Sequence, residues 1–147
     1  MSQVQGRKIN NRKNQRLLVL LKEAQRKNGY LSEEVMSDLA EALEMSKSDV
    51  YGVASFYSFL STRPLGRNVI RVCKSPPCYL KNSDTIIESV AKEISIKPGE
   101  TTADGLFTFE LANCIGACDQ APAMLINDDV HGNLTPEKIA QILVTYK

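Results

Sequence analysis

The sequence predicts an α/β protein, a small α/β sandwich preceded by a three-helix region. Over residues 17–63 the apolar side chains recur at intervals of three and four, which is the spacing of amphipathic helices. After Pro64 and Gly66, short apolar runs of strand type alternate with helical segments. From residue 68 the predicted order is strand, helix, strand, loop, strand, short strand and helix, which suits a two-layer α/β unit.

Caps and apolar spacing define the first two helices. The first helix ends at Gly29, and its apolar positions are Leu17, Leu18, Leu20, Leu21 and Ala24. Ser32 is the expected N-cap of the second helix, because its hydroxyl can accept a hydrogen bond from the first turn. The expected buried face of that helix consists of Val35, Leu39 and Leu43, with Met36 and Ala40 beside it.

The third helix has almost no polar face. Ser46 and Asp49 form the expected capping box that opens it. Its apolar positions are Val50, Tyr51, Val53, Ala54, Phe56, Tyr57, Phe59 and Leu60. A helix that is apolar nearly all round lies either in a core or partly under another protein. We expect the core, with a partner interface as the alternative.

The second half of the chain carries the predicted strands. They cover residues 69–72, 107–111 and 123–126, and a turn is expected at 128–129. The first strand leads into Cys73 and the second leads to Cys114. A helix is predicted from Ser83 until Pro98 and Gly99 stop it, and a last helix is predicted with Thr135 as N-cap and Pro136 at its first position.

Composition and charge narrow the class of protein. The 147 residues, 43% hydrophobic and 24% charged, are typical of one globular domain, or of one domain with a small helical extension. The apolar runs are too short to span a bilayer, and no signal-peptide core follows the basic N-terminus, so we expect a cytoplasmic protein. Residues 1–16 carry five basic residues and no acid, which predicts a flexible basic arm on an acidic body.

Four cysteines form two pairs with the spacing C-x4-C and C-x3-C, separated by 35 residues. These are Cys73, Cys78, Cys114 and Cys118. A disulfide framework is disfavoured in an intracellular protein, and a thioredoxin-type redox site would need C-x-x-C. Structural zinc accepts two pairs of thiolates, and a [2Fe–2S] cluster accepts two thiolates on each iron. The spacing favours the iron–sulfur cluster first and zinc second.

The residues around the cysteines support electron transfer rather than another chemistry. Gly116 and Ala117 are small, so backbone N–H groups can approach cluster sulfur. The single histidine, His131, is expected in a turn as a surface imidazole, and Asp119 as a solvated acid. No catalytic triad, phosphate-binding glycine loop or basic stripe interleaved with aromatic residues is present, which disfavours hydrolases, nucleotide binding and nucleic-acid binding.

In its cysteine spacing and in several stretches of sequence, the chain resembles the thioredoxin-like [2Fe–2S] ferredoxin subunit of NADH-oxidising complexes. These complexes are respiratory complex I, NAD(P)-linked hydrogenases and NAD-dependent formate dehydrogenases. The resemblance runs from about Leu17 to the C-terminus. It is carried by the stretches NGYLSEE (28–34), VYGVASFYSFL (50–60), PLGRNVIRVC (64–73), GETTADGLFTFE (99–110), CIGACDQAPAMLIND (114–128) and LTPEKIAQIL (134–143).

The resemblance implies fold, cofactor and partners. It implies a thioredoxin-like [2Fe–2S] domain over residues 64–147, preceded by a three-helix region over 17–63. It implies that Cys73, Cys78, Cys114 and Cys118 hold a [2Fe–2S] cluster. It also implies docking on a flavoprotein subunit that holds FMN and binds NAD(H), beside further iron–sulfur subunits, with no substrate site on this chain.

Two features near the first cysteine pair bear on the cluster. Pro76 and Pro77 stand where the family usually has small or hydroxyl residues, and they predict a stiff, extended loop with few N–H donors for sulfur. The positive charges of Arg71, Lys74 and Lys81 would favour a reduced cluster, and the charge of Asp119 would oppose them. These features concern the cluster's potential and leave the ligand set unchanged.

Overall fold

The structure, a computed structural model, describes residues 16–147. The chain forms two compact units, one up to Pro64 and one from Leu65 to Lys147. The division into a three-helix region over residues 17–63 and a thioredoxin-like [2Fe–2S] domain over residues 64–147 stays a prediction. The basic arm predicted for residues 1–16 lies outside the described residues except for Arg16, which is already helical.

Three helices form the N-terminal unit: α1 (residues 16–28), α2 (Glu33–Ala42) and α3 (Lys47–Phe56). The predicted caps of the last two are confirmed, because Ser32 accepts from the N–H of Val35 and Ser46 accepts from the N–H of Asp49. Gly29 ends α1 with a φ of +83°, which is a left-handed conformation that glycine adopts without strain. The core of the unit consists of Leu17, Leu21, Leu31, Met36, Ala40, Leu43, Val50 and Ala54.

The buried faces of α2 and α3 differ from the predicted ones. Along α2, Met36 and Ala40 lie deepest, whereas Val35 and Leu39 are only partly buried. Within α3 only Val50 and Ala54, which are one turn apart, are buried. The expectation that the aromatic residues of α3 lie in the core is therefore wrong. The core covers one side of α3, with Val53 partly buried beside it, and leaves Tyr51 and Phe56 exposed.

A side chain on α1 holds the segment that follows α3. The Nε2 of Gln25 donates to the carbonyl of Phe59 at 2.8 Å, and its Oε1 accepts from the N–H of Ser61 at 2.6 Å. The N–H of Leu31 donates to the carbonyl of Ser61 at 2.8 Å. These hydrogen bonds provide partners for backbone groups that follow the end of α3 and have no partner within the helix.

The C-terminal unit is a mixed four-stranded sheet with helices. Its elements are β1 (Asn68–Cys73), α4 (Pro76–Tyr79), α5 (Ser83–Ile94), β2 (Phe107–Ala112), a 3₁₀ turn (Cys118–Gln120), β3 (Met124–Ile126), β4 (Asp129–His131) and α6 (Pro136–Val144). The strand order is β2-β1-β3-β4, with β1 parallel to β2 and antiparallel to β3, and β3 antiparallel to β4. This is the predicted element order.

Helices α5 and α6 pack together against one face of the sheet. Alternate strand residues, among them Ile70, Phe109 and Ile126, meet the buried faces of these helices. Val90 of α5 and Leu143 of α6 are both fully buried in this core. The helices cover this face of the sheet, and the parallel pairing of β1 and β2 places their carboxyl ends at one edge.

The β3–β4 hairpin is placed slightly differently from the prediction. Its turn is at Asn127 and Asp128 rather than at residues 128–129, and Asn127 takes a φ of +55°. The Oδ1 of Asn127 also accepts from the N–H of Val69 at 2.9 Å, which ties the turn to β1. His131 is the last residue of β4, so the turn expected around it is wrong. None of the helices within residues 16–147 combines the length and the apolar content that crossing a bilayer requires.

Candidate metal centre

The parallel pairing of β1 and β2 places the two cysteine loops side by side. Cys73, the last residue of β1, is in register with Ala112, the last residue of β2. The N–H of Lys74 donates to the carbonyl of Ala112 at 2.9 Å, and the N–H of Cys73 donates to the carbonyl of Ala123 at 3.1 Å. Parallel strands end at the same sheet edge, so both loops start from one place.

The first pair, Cys73 and Cys78, is buried. Each side chain is 1% exposed, and the two pack with Ala121 and Ile115. Burial acts to raise the pKa of the Cys73 thiol, but hydrogen bonds led by the Ser75 hydroxyl outweigh it and lower that pKa. Burial and the neighbouring Cys73 side chain raise the pKa of Cys78. The two cysteines therefore lie in one buried cluster.

The loop between these cysteines is partly helical. Ser75 is extended, as predicted, with φ −66° and ψ 158°. Pro76 and Pro77 are the first residues of α4, so the prediction that Pro76 is extended is wrong. The first turn of a helix has no intrahelical acceptor for its N–H groups, so proline is tolerated there. The short helix then brings Cys78 back towards Cys73.

A hydroxyl compensates for the donors that the prolines lack. The Oγ of Ser75 lies 3.1 Å from the Sγ of Cys73, within hydrogen-bonding distance of sulfur. The backbone N–H of Lys74 is used in the sheet and is not free for sulfur. Ser75 is thus the polar side chain that contacts the first sulfur.

The second pair, Cys114 and Cys118, is exposed. Gly116 between them has a φ of +82°, which favours glycine, and its N–H donates to the Sγ of Cys114 at 3.4 Å. Repulsion from Cys114 is the largest cause that raises the pKa of Cys118, and the Cys73 thiolate also contributes. Cys118 therefore lies near a member of each pair.

The four thiols fall into a buried pair, Cys73 and Cys78, and an exposed pair, Cys114 and Cys118. Within residues 16–147, no three cysteine, histidine or acidic side chains converge on a point that could hold one metal ion. A single zinc ion would need its four ligands around one centre. A [2Fe–2S] cluster needs two thiolates on each of two irons, so two neighbouring pairs fit it better.

The charged residues singled out from the sequence take different places. Lys74, Lys81 and Asp119 are exposed, and Asp119 lies in the 3₁₀ turn that begins with Cys118. Arg71 is buried and forms an ion pair with Glu110. Glu110 was not among the predicted residues, because the strand register that places it opposite Arg71 cannot be predicted from local sequence.

His131 belongs to a polar group with Tyr146 and Asp129. Its Nε2 lies 3.0 Å from the Oη of Tyr146, which donates to the Oδ2 of Asp129 at 2.9 Å. The imidazole is half-buried rather than a surface group, and it joins β4 to the C-terminal end of the chain. The expectation that His131 is a surface imidazole is therefore wrong in this respect.

The pattern of two thiol pairs at the edge of a mixed sheet agrees with a family-level match. A family model described as thioredoxin-like [2Fe-2S] ferredoxin matches residues 3–147. The chain belongs to this family. This match confirms the fold class and the family that were predicted from the sequence.

Two curated relatives of this ferredoxin-family chain are both named as a subunit of NADH-quinone oxidoreductase. The protein from Pseudomonas aeruginosa is 40% identical over 126 residues, which is 86% of this chain and 76% of the relative. The protein from Escherichia coli strain K12 is 42% identical over 127 residues, with the same shares covered.

A solved structure of an NAD+-reducing [NiFe]-hydrogenase is similar as well. The match has a TM-score of 0.78 and 26% sequence identity, and it covers 88% of this chain. This ferredoxin-family chain spans only 22% of that hydrogenase chain. It is therefore similar to one part of a longer polypeptide.

Proposed function

We propose that this chain is the [2Fe–2S] electron-transfer subunit of a multi-subunit NAD(P)H-dependent oxidoreductase. The parent complex is of the hydrogenase, formate dehydrogenase or complex I type, and the chain exchanges single electrons with FMN on a partner subunit. One observation carries the proposal. In a member of this ferredoxin family, the loop that holds Cys73 and Cys78 and the loop that holds Cys114 and Cys118 start from the same edge of the sheet. The names of the relatives support the type of complex.

In this proposal the four cysteines are the cluster ligands. Cys73 and Cys78 hold one iron, and Cys114 and Cys118 hold the other. Support comes from the register of β1 and β2, which places Cys73 opposite Ala112, two residues before Cys114, and from the packing of Cys73 with Cys78. A cluster of this kind, when bound, accepts and releases one electron at a time.

The chain's residues control access to that centre and its charge. The first pair is enclosed, which keeps water from those sulfurs, whereas the second pair faces outward and offers a side of approach to a partner. The Gly116 N–H donates to the sulfur of Cys114, and the Ser75 hydroxyl lies close enough to donate to a Cys73 thiolate. Bonds of this kind stabilise negative charge on sulfur. The exposed Lys74 and Lys81 add positive charge near the first loop.

The partners and location follow from the same proposal. The flavoprotein partner holds FMN and binds NAD(H), further iron–sulfur subunits carry the electrons on, and this chain has no substrate site of its own. It inserts into no membrane, binds no nucleic acid and works in the cytoplasm, where thiols stay reduced until they bind metal. The exposed aromatic residues of α3, among them Tyr51 and Phe56, provide apolar surface for such an assembly.

Anaerobic purification tests the ligand assignment. The wild-type protein should be red-brown, with visible charge-transfer absorption and equal amounts of iron and inorganic sulfide. Alanine variants of Cys73, Cys78, Cys114 and Cys118, made one at a time, should lose most iron and sulfide while the N-terminal helices stay folded by circular dichroism. Thr85→Ala, an exposed change on α5, is the matched control and should retain the cluster.

Three results would contradict the proposal in whole or in part. A colourless protein that contains zinc would identify a zinc-stabilised interaction module instead. Normal iron and sulfide in any cysteine variant would remove that residue from the ligand set. Co-purification of the tagged wild-type chain with its neighbours should recover a flavoprotein that contains FMN, and recovery without one would overturn the assigned electron partner.

A further inference from the structure

Gly132 lies where a side chain would collide with the turn that carries Cys118. A Cβ on Gly132, directly after β4, would overlap the Cβ of Gln120, lie 2.7 Å from its Oε1 and lie 3.0 Å from its carbonyl oxygen. The Cβ of Gln120 is fixed to the main chain, so no change of rotamer can relieve the overlap. The backbone of Gln120 itself would have to move.

Gln120 cannot move independently of Cys118. The two are the ends of a single 3₁₀ turn, in which the N–H of Gln120 donates to the carbonyl of Ala117 at 3.1 Å. The N–H of Ala121 donates to the carbonyl of Cys118 at 3.4 Å. A displacement of Gln120 is thus passed to the backbone on both sides of Cys118.

The approach of the two segments is held by hydrogen bonds. The N–H of Asn133 donates to the carbonyl of Gln120 at 2.6 Å, and the N–H of Leu134 donates to the carbonyl of Pro122 at 3.1 Å. The β3–β4 pairing, in which His131 is opposite Met124, fixes the segment from the other side. The turn therefore packs directly against the backbone of residue 132, and only glycine at that position avoids a steric clash with it.

We propose that Gly132 is a positioning residue for Cys118. It is not itself a ligand, and it acts by leaving room for the turn that begins with Cys118, so that the position of this thiol is fixed. The inference rests on the proposed function, because it assumes that Cys118 binds iron. Residues that support metal ligands typically contribute a factor of about 10–100 in metal affinity.

Two other glycines serve as matched controls. A Cβ on Gly66 would lie 2.8 Å from the carbonyl carbon of Phe107 and 3.0 Å from the N of Thr108. Gly66→Ala therefore introduces a steric clash comparable to that of Gly132→Ala. It acts before the start of β1, at the opposite end of the strand from Cys73. Gly52 has no atom within 4 Å of an added Cβ and no left-handed φ, so Gly52→Ala is the mild control.

The experiment uses the full chain with its reconstituted cluster. The rate of iron transfer to a ferrous chelator and the electron paramagnetic resonance spectrum of the dithionite-reduced cluster are measured. We expect Gly132→Ala to lose iron on the order of 10-fold faster than wild type and to show altered g-values. Gly66→Ala can lower the thermal midpoint of the protein but should leave the g-values unchanged, and Gly52→Ala should resemble wild type.

A rescue variant separates positioning from general damage. Gln120→Gly removes the Cβ with which the new methyl group collides, so the double variant Gly132→Ala with Gln120→Gly should regain the iron-loss rate and g-values of Gln120→Gly alone. If Gly132→Ala is insoluble, a soluble, cluster-loaded double variant supports the inference. An insoluble or unrestored double variant overturns it.

The two proposals fail differently. Wild-type g-values and iron loss in Gly132→Ala, or equally altered g-values in Gly66→Ala, would overturn the positioning role while leaving the cluster assignment intact. A wild-type protein that holds no iron–sulfur cluster would instead overturn the proposed function.

Discussion

Arg71 and Glu110 form an ion pair across the two parallel strands, with 2.9 Å between Nε and Oε2. The two residues are in register, and each is two positions before the end of its strand, where Cys73 and Ala112 stand. Side chains alternate along a strand, so Arg71 lies on the same sheet face as Cys73. The carboxylate neutralises the charge that the sequence analysis expected to favour a reduced cluster.

Glu110→Gln should raise the reduction potential of the cluster. The substitution keeps the shape of the side chain but removes the negative charge that lies beside Arg71, near a centre that becomes more negative on reduction. The free energy of unfolding should fall by about 1–3 kcal/mol, because a buried charged partner is weakened. Redox titration and urea unfolding measure the two effects. Glu88→Gln, an exposed change on α5, is the control, and an unchanged potential in Glu110→Gln would contradict the expectation.

Ser75→Ala should lower the reduction potential. The Ser75 hydroxyl lies 3.1 Å from the Sγ of Cys73, and its hydrogen bond stabilises the extra negative charge of the reduced state. Ser75→Thr keeps the hydroxyl and should stay close to the wild-type potential. A potential in Ser75→Ala equal to that of Ser75→Thr would show that the hydroxyl does not interact with the cluster.

Replacing both prolines of the first cysteine loop should affect stability more than potential. Pro76 and Pro77 occupy the first turn of α4, where their missing N–H groups have no intrahelical acceptor. Changing both to Ala should cost roughly 0.4–1 kcal/mol for each, because the unfolded chain gains freedom. The potential should shift by less than in Ser75→Ala. A rise larger than the Ser75→Ala decrease would restore the view that absent N–H donors set the potential.

Tyr146 makes the stability of the protein sensitive to alkaline pH. Burial, together with the hydrogen bond to Asp129 and its charge, raises the pKa of Tyr146 above that of the unfolded chain. The unfolded state therefore loses its phenol proton first, so stability is full below about pH 10, the usual phenol pKa, and falls as pH rises above it.

Tyr146→Phe should flatten this decline, because it removes the titrating group. Chemical unfolding at several pH values between neutral and alkaline measures the slope for both proteins. Tyr79→Phe, a change at an exposed tyrosine, is the control and should keep the wild-type slope. Equal slopes for wild type and Tyr146→Phe would contradict the assignment.

The uncovered aromatic residues of α3 should contribute to assembly rather than to stability. Tyr51 is 53% exposed and Phe56 is 80% exposed. Changing both residues to Ser should alter the free energy of unfolding by no more than about 0.5 kcal/mol for each substitution, as is usual at surface positions. Recovery of the flavoprotein partner in co-purification should fall several-fold, since aromatic side chains are frequent anchors of interfaces. Val144→Ser, at an exposed apolar position on α6, should leave recovery unchanged.

Local sequence was enough to predict the elements and the family. Caps such as Ser32, Ser46 and Thr135 are local, because each bonds an N–H only three residues away, and all three are where the sequence placed them. The order of strands and helices followed from apolar periodicity, which depends on neighbouring positions alone. The two cysteine pairs and the stretches around them were sufficient to predict the thioredoxin-like [2Fe–2S] ferredoxin family.

The surroundings of the candidate site, by contrast, depend on tertiary contacts. Glu110 is opposite Arg71 because of strand register, and Gly132 meets Gln120 because the β3–β4 hairpin returns to the turn after Cys118. The exposed aromatic residues of α3 reflect which side of that helix its neighbours cover. Each of these contacts joins residues that are distant in sequence. Periodicity and motif spacing describe only nearby residues, so these contacts could not be predicted from the sequence alone.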